Sequence, residues 1–148
     1  MPSRRLTVSV AALLLAGSLA ACGTGEPEVS ATAGSVAASA PADGAELDPA
    51  AFAAALKRPQ TTVIDVRTPQ EFAEGHLPGA VNIDVEGADF VAKVQQLDPE
   101  APYAVYCRSG NRSAVALQMM DQLGFASTYH LGGGISAWKG AGGEVVSG

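Results

Sequence analysis

The sequence predicts one α/β domain on a mostly parallel sheet, over residues 47–148. Two observations lead there: short runs rich in β-branched and aromatic residues alternate with segments of helical hydrophobic spacing, and capping or glycine signals mark where one gives way to the other. Asp48-Pro49 reads as an N-cap with proline in the first turn, opening a helix that carries Phe52 and Leu56 on one face. Thr61 to Val66 follows as a buried strand. Thr68-Pro69-Gln70-Glu71 has capping-box spacing, so a short helix starts directly after that strand. Ala80 to Ile83 gives a second short strand, and Phe90, Val91, Val94 and Leu97 supply the apolar stripe of the next helix. Tyr103 to Tyr106 is the strand that delivers Cys107. After a polar hexad, Ala114, Leu117 and Met120 mark a helix closed by Gly124, with Met119-Met120 read as packing. Thr128 to Leu131 is the last strand, followed by Gly132-Gly133-Gly134 and a short helix over Ile135 to Trp138, in which Trp138 plugs the core.

A chain of 148 residues has room for one modest core, and its formal charge of -6, with no block of Lys or Arg, lacks the cationic footprint that phosphate neutralisation requires. Nucleic acid is therefore not an expected partner. Cys22 and Cys107 are far apart and only two histidines accompany them, so neither a paired redox motif nor a metal site is expected.

The chemistry concentrates in Cys107-Arg108-Ser109-Gly110-Asn111-Arg112-Ser113, between an expected strand and an expected helix. Gly110 and Asn111 let the backbone curl so that successive N–H groups share one concavity, and a helix beginning near Ser113 adds its positive end. An anion fits such a nest. A cysteine at its lip, flanked by two guanidinium groups, has its thiolate favoured, and the thiolate is the nucleophile. Cys107 is thus the candidate nucleophile, with Arg108, Ser109, Gly110, Asn111, Arg112 and Ser113 as the substrate cradle. One arginine steers the anion and the other braces the loop, in either order. Asp65 and Arg67 end a strand on the edge where α/β domains build sites, and are expected near the loop, as a structural pair holding the next turn rather than as catalysts. His76 is read as a turn stabiliser, because an ionised thiolate needs no base. His130 carries no signal beyond its place at a strand end.

These segments resemble the rhodanese family of sulfurtransferases. Cys107 to Ser113 resembles the family's active-site loop; Ile64-Asp65-Val66-Arg67, with Glu71-Phe72 and Glu74 to Ile83, its first signature; and Leu131 to Trp138 its closing one, with Gly132 where relatives often carry Glu. The resemblance implies a rhodanese-like fold, a central parallel five-stranded sheet flanked by helices. It also implies transfer of a sulfane sulfur from thiosulfate or a persulfide donor to cyanide or a thiol acceptor, through a Cys107 persulfide and with no cofactor. Two alternatives stand beside it. A phosphatase or arsenate reductase shares the fold, but phosphatase loops enclose five residues where four separate Cys107 from Arg112. A non-catalytic binding or sensory module is the other, and the retained cysteine and cradle argue against it.

Residues 1–21 carry two arginines, an uncharged stretch and small residues before Cys22, the pattern of an export signal; the Leu-Ala-Ala-Cys run resembles the lipobox of bacterial lipoproteins. The expectation is a signal peptide over 1–21 and a lipidated Cys22. An Ala/Gly/Ser-rich tether over 22–46 then spans roughly 25 to 30 Å as a coil. The domain is expected on the extracytoplasmic side of the bacterial cell membrane.

Overall fold

The computed structural model describes residues 39–148. The expected signal peptide, the Cys22 lipidation site and most of the expected tether lie outside the described residues.

The elements follow in the order β1 (Ala45–Leu47), α1 (Pro49–Leu56), β2 (Thr62–Asp65), α2 (Pro69–Glu74), β3 (Val81–Asn82), α3 (Phe90–Val94), β4 (Tyr103–Tyr106), α4 (Asn111–Gln122), β5 (Thr128–Leu131) and α5 (Gly134–Gly140). The five strands form one sheet in the order β1-β5-β4-β2-β3, and every pairing is parallel. The local signals act as expected at the helix starts. The Asp48 carboxylate accepts from the Ala51 N–H at 2.8 Å, and Thr68 and Glu71 form both halves of the capping box. Gly124, at φ +88°, follows α4 in the left-handed conformation that glycine adopts without cost.

Three expectations shift. The domain begins before residue 47, because Ala45–Leu47 pairs with Tyr129–Leu131 as an edge strand. Just ahead of it the Asp43 carboxylate accepts from the Thr128 N–H and hydroxyl at 2.7 and 2.9 Å, and the Gly44 N–H donates to the Thr128 carbonyl. Nothing in Ala-Glu-Leu marks a strand locally; the open backbone groups of β5 make it one. Helix α3 ends at Val94; within it Val91 is 40% exposed, off the buried face of Phe90 and Val94, and Leu97 reaches the core from the turn beyond. Helix α4 begins at Asn111, a turn's fraction earlier than Ser113.

Alternation along the strands divides the core in two. Ile64, Val66, Tyr103, Val105 and Cys107 face α3 and α4 with Phe90, Val94, Leu117 and Met120. Ala104, Tyr106, Tyr129 and Leu131 face the other layer with Phe52, Leu77, Ile135 and Trp138. Trp138 packs edge-on to Phe52 at 6.2 Å, as a core residue. On β5 the alternation leaves Thr128 and His130, both buried, on the side opposite to Tyr129 and Leu131, the side of Cys107.

Candidate active site

Cys107 leaves β4 on the same face as Tyr103 and Val105, beneath the start of α4, and is only 1% exposed. The sequence expectation of a cysteine at the lip is corrected: the sulfur is buried, and Arg108, Ser109 and Asn111 form the exposed rim. The chain reverses at Gly110, whose φ of +101° lies in the left-handed region, and this residue is the N-cap of α4. The Gly110 N–H donates to Cys107 Sγ at 3.1 Å.

The closing segment clamps this loop from below. The Ile135 N–H donates to the Cys107 carbonyl at 2.8 Å and the Ser136 N–H to the Arg108 carbonyl at 3.2 Å. A trans peptide points its N–H opposite to its C=O, so anchoring these carbonyls on α5 turns the N–H groups of Arg108 and Ser109 to the other side. Gly134, at φ +58°, is required for that approach, since a Cβ there would collide with the Cys107 carbonyl and the Arg108 backbone.

Burial pushes the Cys107 thiol up, but the Ser113 hydroxyl and the N–H groups of Ser113, Ser109 and Gly110 more than reverse it, holding the thiol below the ordinary cysteine value. Donors fixed in the loop, the nest that the sequence predicts, therefore hold the thiol down. Arg112 is otherwise engaged: it makes a two-pronged pair with the Glu71 carboxylate, both contacts at 2.8 Å, and approaches Glu86 at 3.4 Å. The hydrogen bonds from Arg112 hold Glu71 down to about 2, so the pair is ionised through the neutral range. Arg112 thus ties the loop to α2, whereas Arg108 is exposed on the rim.

Asp65 and Arg67 end β2 beside the loop, with Asp65 registered against Tyr106, but their side chains belong to the opposite face. The Arg67 guanidinium forks onto Asp65, donates to the Gly75 carbonyl at 2.7 Å and lies over the Tyr106 ring, 5.7 Å from its centroid. The two side chains are 6% and 0% exposed, and they close the turn after β2. His76 is a turn element: its ring stacks on Phe72 at 3.7 Å, Nδ1 lies 2.9 Å from the Phe72 carbonyl, and its backbone bridges to Val146.

Two residues at the site were not singled out by the sequence. Glu71 was read as a capping residue and as part of the first signature, with no role at the loop, yet its carboxylate both caps α2 and holds Arg112. His130 places Nδ1 3.1 Å from Ser113 Oγ, which is itself 3.5 Å from Cys107 Sγ. Strand parity carried a signal for it: Thr128 and His130 are the polar positions of a strand whose alternate residues are apolar, and His130 registers with Val105, two residues before Cys107. Among the described residues no group of three or more His, Cys, Asp and Glu side chains is placed to hold a metal ion.

Comparison with known proteins identifies the family and the fold. The family described as the rhodanese-like domain matches residues 48–141. The chain is 40% identical over 85 residues to a protein of Pseudomonas aeruginosa named thiosulfate sulfurtransferase GlpE, a match covering 57% of this chain and 74% of that one. A rhodanese-related protein from Thermoplasma volcanium superposes with a TM-score of 0.61 at 33% identity, over 69% of this chain and 97% of that one. A rhodanese-like domain from Anabaena sp. does so with a TM-score of 0.63 at 27% identity, over 69% and 78%.

Proposed function

The chain belongs to the rhodanese-like domain family, and on that premise we propose that it is a working sulfurtransferase whose Cys107 carries the sulfur as a persulfide. The observation that supports this most is the donor set around the sulfur. A buried cysteine has no reason to be ionised, yet here the loop N–H groups and the Ser113 hydroxyl favour the thiolate. Such fixed donors serve equally the negative charge of a persulfide formed at the same place.

In the first half-reaction the Cys107 thiolate attacks the outer sulfur of thiosulfate. The new S–S bond forms as the bond to the sulfonyl sulfur breaks with its electron pair, leaving sulfite and a Cys107 persulfide anion. In the second, cyanide or a thiolate attacks the terminal sulfur, giving thiocyanate or a new persulfide and returning the Cys107 thiolate. Charge balances in both steps and no redox partner is needed. Arg108 draws the dianion to the rim, the N–H groups of the loop receive it, and Arg112, tied to Glu71, keeps the loop in shape. A persulfide in place of thiosulfate serves as donor by the same exchange.

The export pattern before Cys22 supports a lipid-anchored, extracytoplasmic setting for this chemistry. The test of the enzymatic reading is mass spectrometry of the protein after thiosulfate, with Cys107→Ser alongside. The expected result is one added sulfur on Cys107, removed by cyanide, and a loss of turnover of at least about a thousandfold in the variant. Hydrolysis of an aryl phosphate with no persulfide on Cys107 would favour the phosphatase reading, and neither activity would favour a binding module.

A further inference from the structure

The Ser113 hydroxyl has one proton and three neighbours that can accept it. They are the Gly110 carbonyl at 2.9 Å, His130 Nδ1 at 3.1 Å and Cys107 Sγ at 3.5 Å. Where that proton goes depends on what Nδ1 carries. A bare Nδ1 competes for it, so the sulfur receives the hydroxyl only part of the time. A protonated Nδ1 instead donates to Ser113 Oγ and ceases to be an acceptor. The hydroxyl is then free to turn to the sulfur, and an ionised sulfur is a stronger acceptor than a neutral carbonyl.

The surroundings fix which form prevails. Glu46 of β1 lies with its carboxylate oxygen 3.6 Å from His130 Nε2, in space kept open by Gly132, where a Cβ would stand 2.9 Å from Glu46 Cγ. The cavity of about 360 Å³ that His130 lines also carries Asp43, ahead of β1, and Asp121 of α4. From the remaining side come Ser113 of α4 and, through it, Cys107. Burial lowers the value of the His130 ring, opposed by Glu46, and burial prevails, so the ring is neutral at neutral pH and gains its second proton on acidification. With the Glu46 carboxylate facing Nε2, the neutral ring keeps its proton there and Nδ1 is the accepting atom. Acidification therefore reverses the hydrogen bond between His130 and Ser113.

We infer that His130 is a positioning residue for Cys107: when its ring is protonated it turns the Ser113 hydroxyl onto the sulfur and so holds part of the cysteine as thiolate in acid. The inference deepens the sulfurtransferase reading and rests on it for the consequence in turnover, but its direct readout is the thiolate itself.

The experiment uses the full chain and follows alkylation of Cys107 by iodoacetamide, resolved from Cys22 by mass spectrometry, as a function of pH. In the unaltered protein the rate should fall with pH, pass through a shoulder where His130 titrates, and continue about tenfold above the line extrapolated from higher pH, the size of one hydrogen bond to a charged group. His130→Leu, which removes the ring, should fall along one line with no shoulder. His130→Asn keeps a polar atom at the Nδ1 position without a titrating group, and should lose the shoulder while remaining folded. An unaltered protein without the shoulder, or a shoulder that survives in His130→Asn, overturns the inference. Sulfur transfer measured on the same samples separates the two readings. Absence of transfer with the shoulder present counts against the enzymatic proposal and not against His130.

Discussion

Strands β2 and β4 are neighbours in the sheet and end at the same edge, but their ends are built oppositely. At the end of β2 the polar groups satisfy one another: Asp65 and Arg67 are forked together in near-complete burial, and Asn82 donates to the carbonyls of Asp65 and Arg67 at 3.0 and 2.8 Å. At the end of β4, among the described residues, no charged side chain is hydrogen-bonded to the buried Cys107. Cys107 is held by N–H groups and a hydroxyl, and the residues after it are exposed. A closed set of partners has nothing left for a ligand, so the first end is a structural staple. Donors directed at one sulfur keep their value when that sulfur gains charge or a second sulfur, so the other end can do chemistry.

The sharpest way to break this comparison is Asp65→Ala. It leaves the Arg67 charge buried without its carboxylate, and should cost about 3–5 kcal/mol of unfolding free energy in a denaturant titration. The fraction still folded at low temperature should keep its turnover within about threefold. A loss of activity without loss of stability would mean that this end of the sheet takes part in the reaction.

Glu71→Gln lies between the two regions, because Glu71 caps α2 and braces the loop through Arg112. Its native value near 2 is below its unfolded value of 4.5, so its stabilisation is fully present above the unfolded value and is lost as pH falls towards 2. The variant should be about 1 kcal/mol less stable at neutral pH, and its stability should fall less steeply than that of the unaltered protein between those two values. Equal acid slopes in the two proteins would remove the pair from the account of loop rigidity.

Arg108→Ala should have the smallest effect. An exposed side chain on the rim contributes little to stability, within about 0.5 kcal/mol, and its loss should raise KM for thiosulfate several-fold with kcat little changed. A fall in kcat would instead put Arg108 in contact with the transition state. The three variants, in that order, move from structure alone to substrate capture alone.

Much of this molecule was legible along the chain, for a reason that is local. Helix starts depend on residues three or four apart, and Asp48 to Ala51 and Thr68 to Glu71 contain all the atoms their caps use. The loop Cys107 to Ser113 is likewise continuous in sequence, so its glycine turn and its nucleophile were visible together. What tertiary structure decided was every feature whose partner lies on another strand or helix. Ala45–Leu47 is a strand only because β5 offers an edge. Arg112 is tied to α2 because that helix brings Glu71 within 2.8 Å of it. His130 joins Cys107 because alternation on β5 and register with β4 turn it to that face, and Cys107 is buried because α4 closes over it. Residue types and spacing determine which groups the chain possesses; which of them meet, and which are left free to act, follows from how the layers pack.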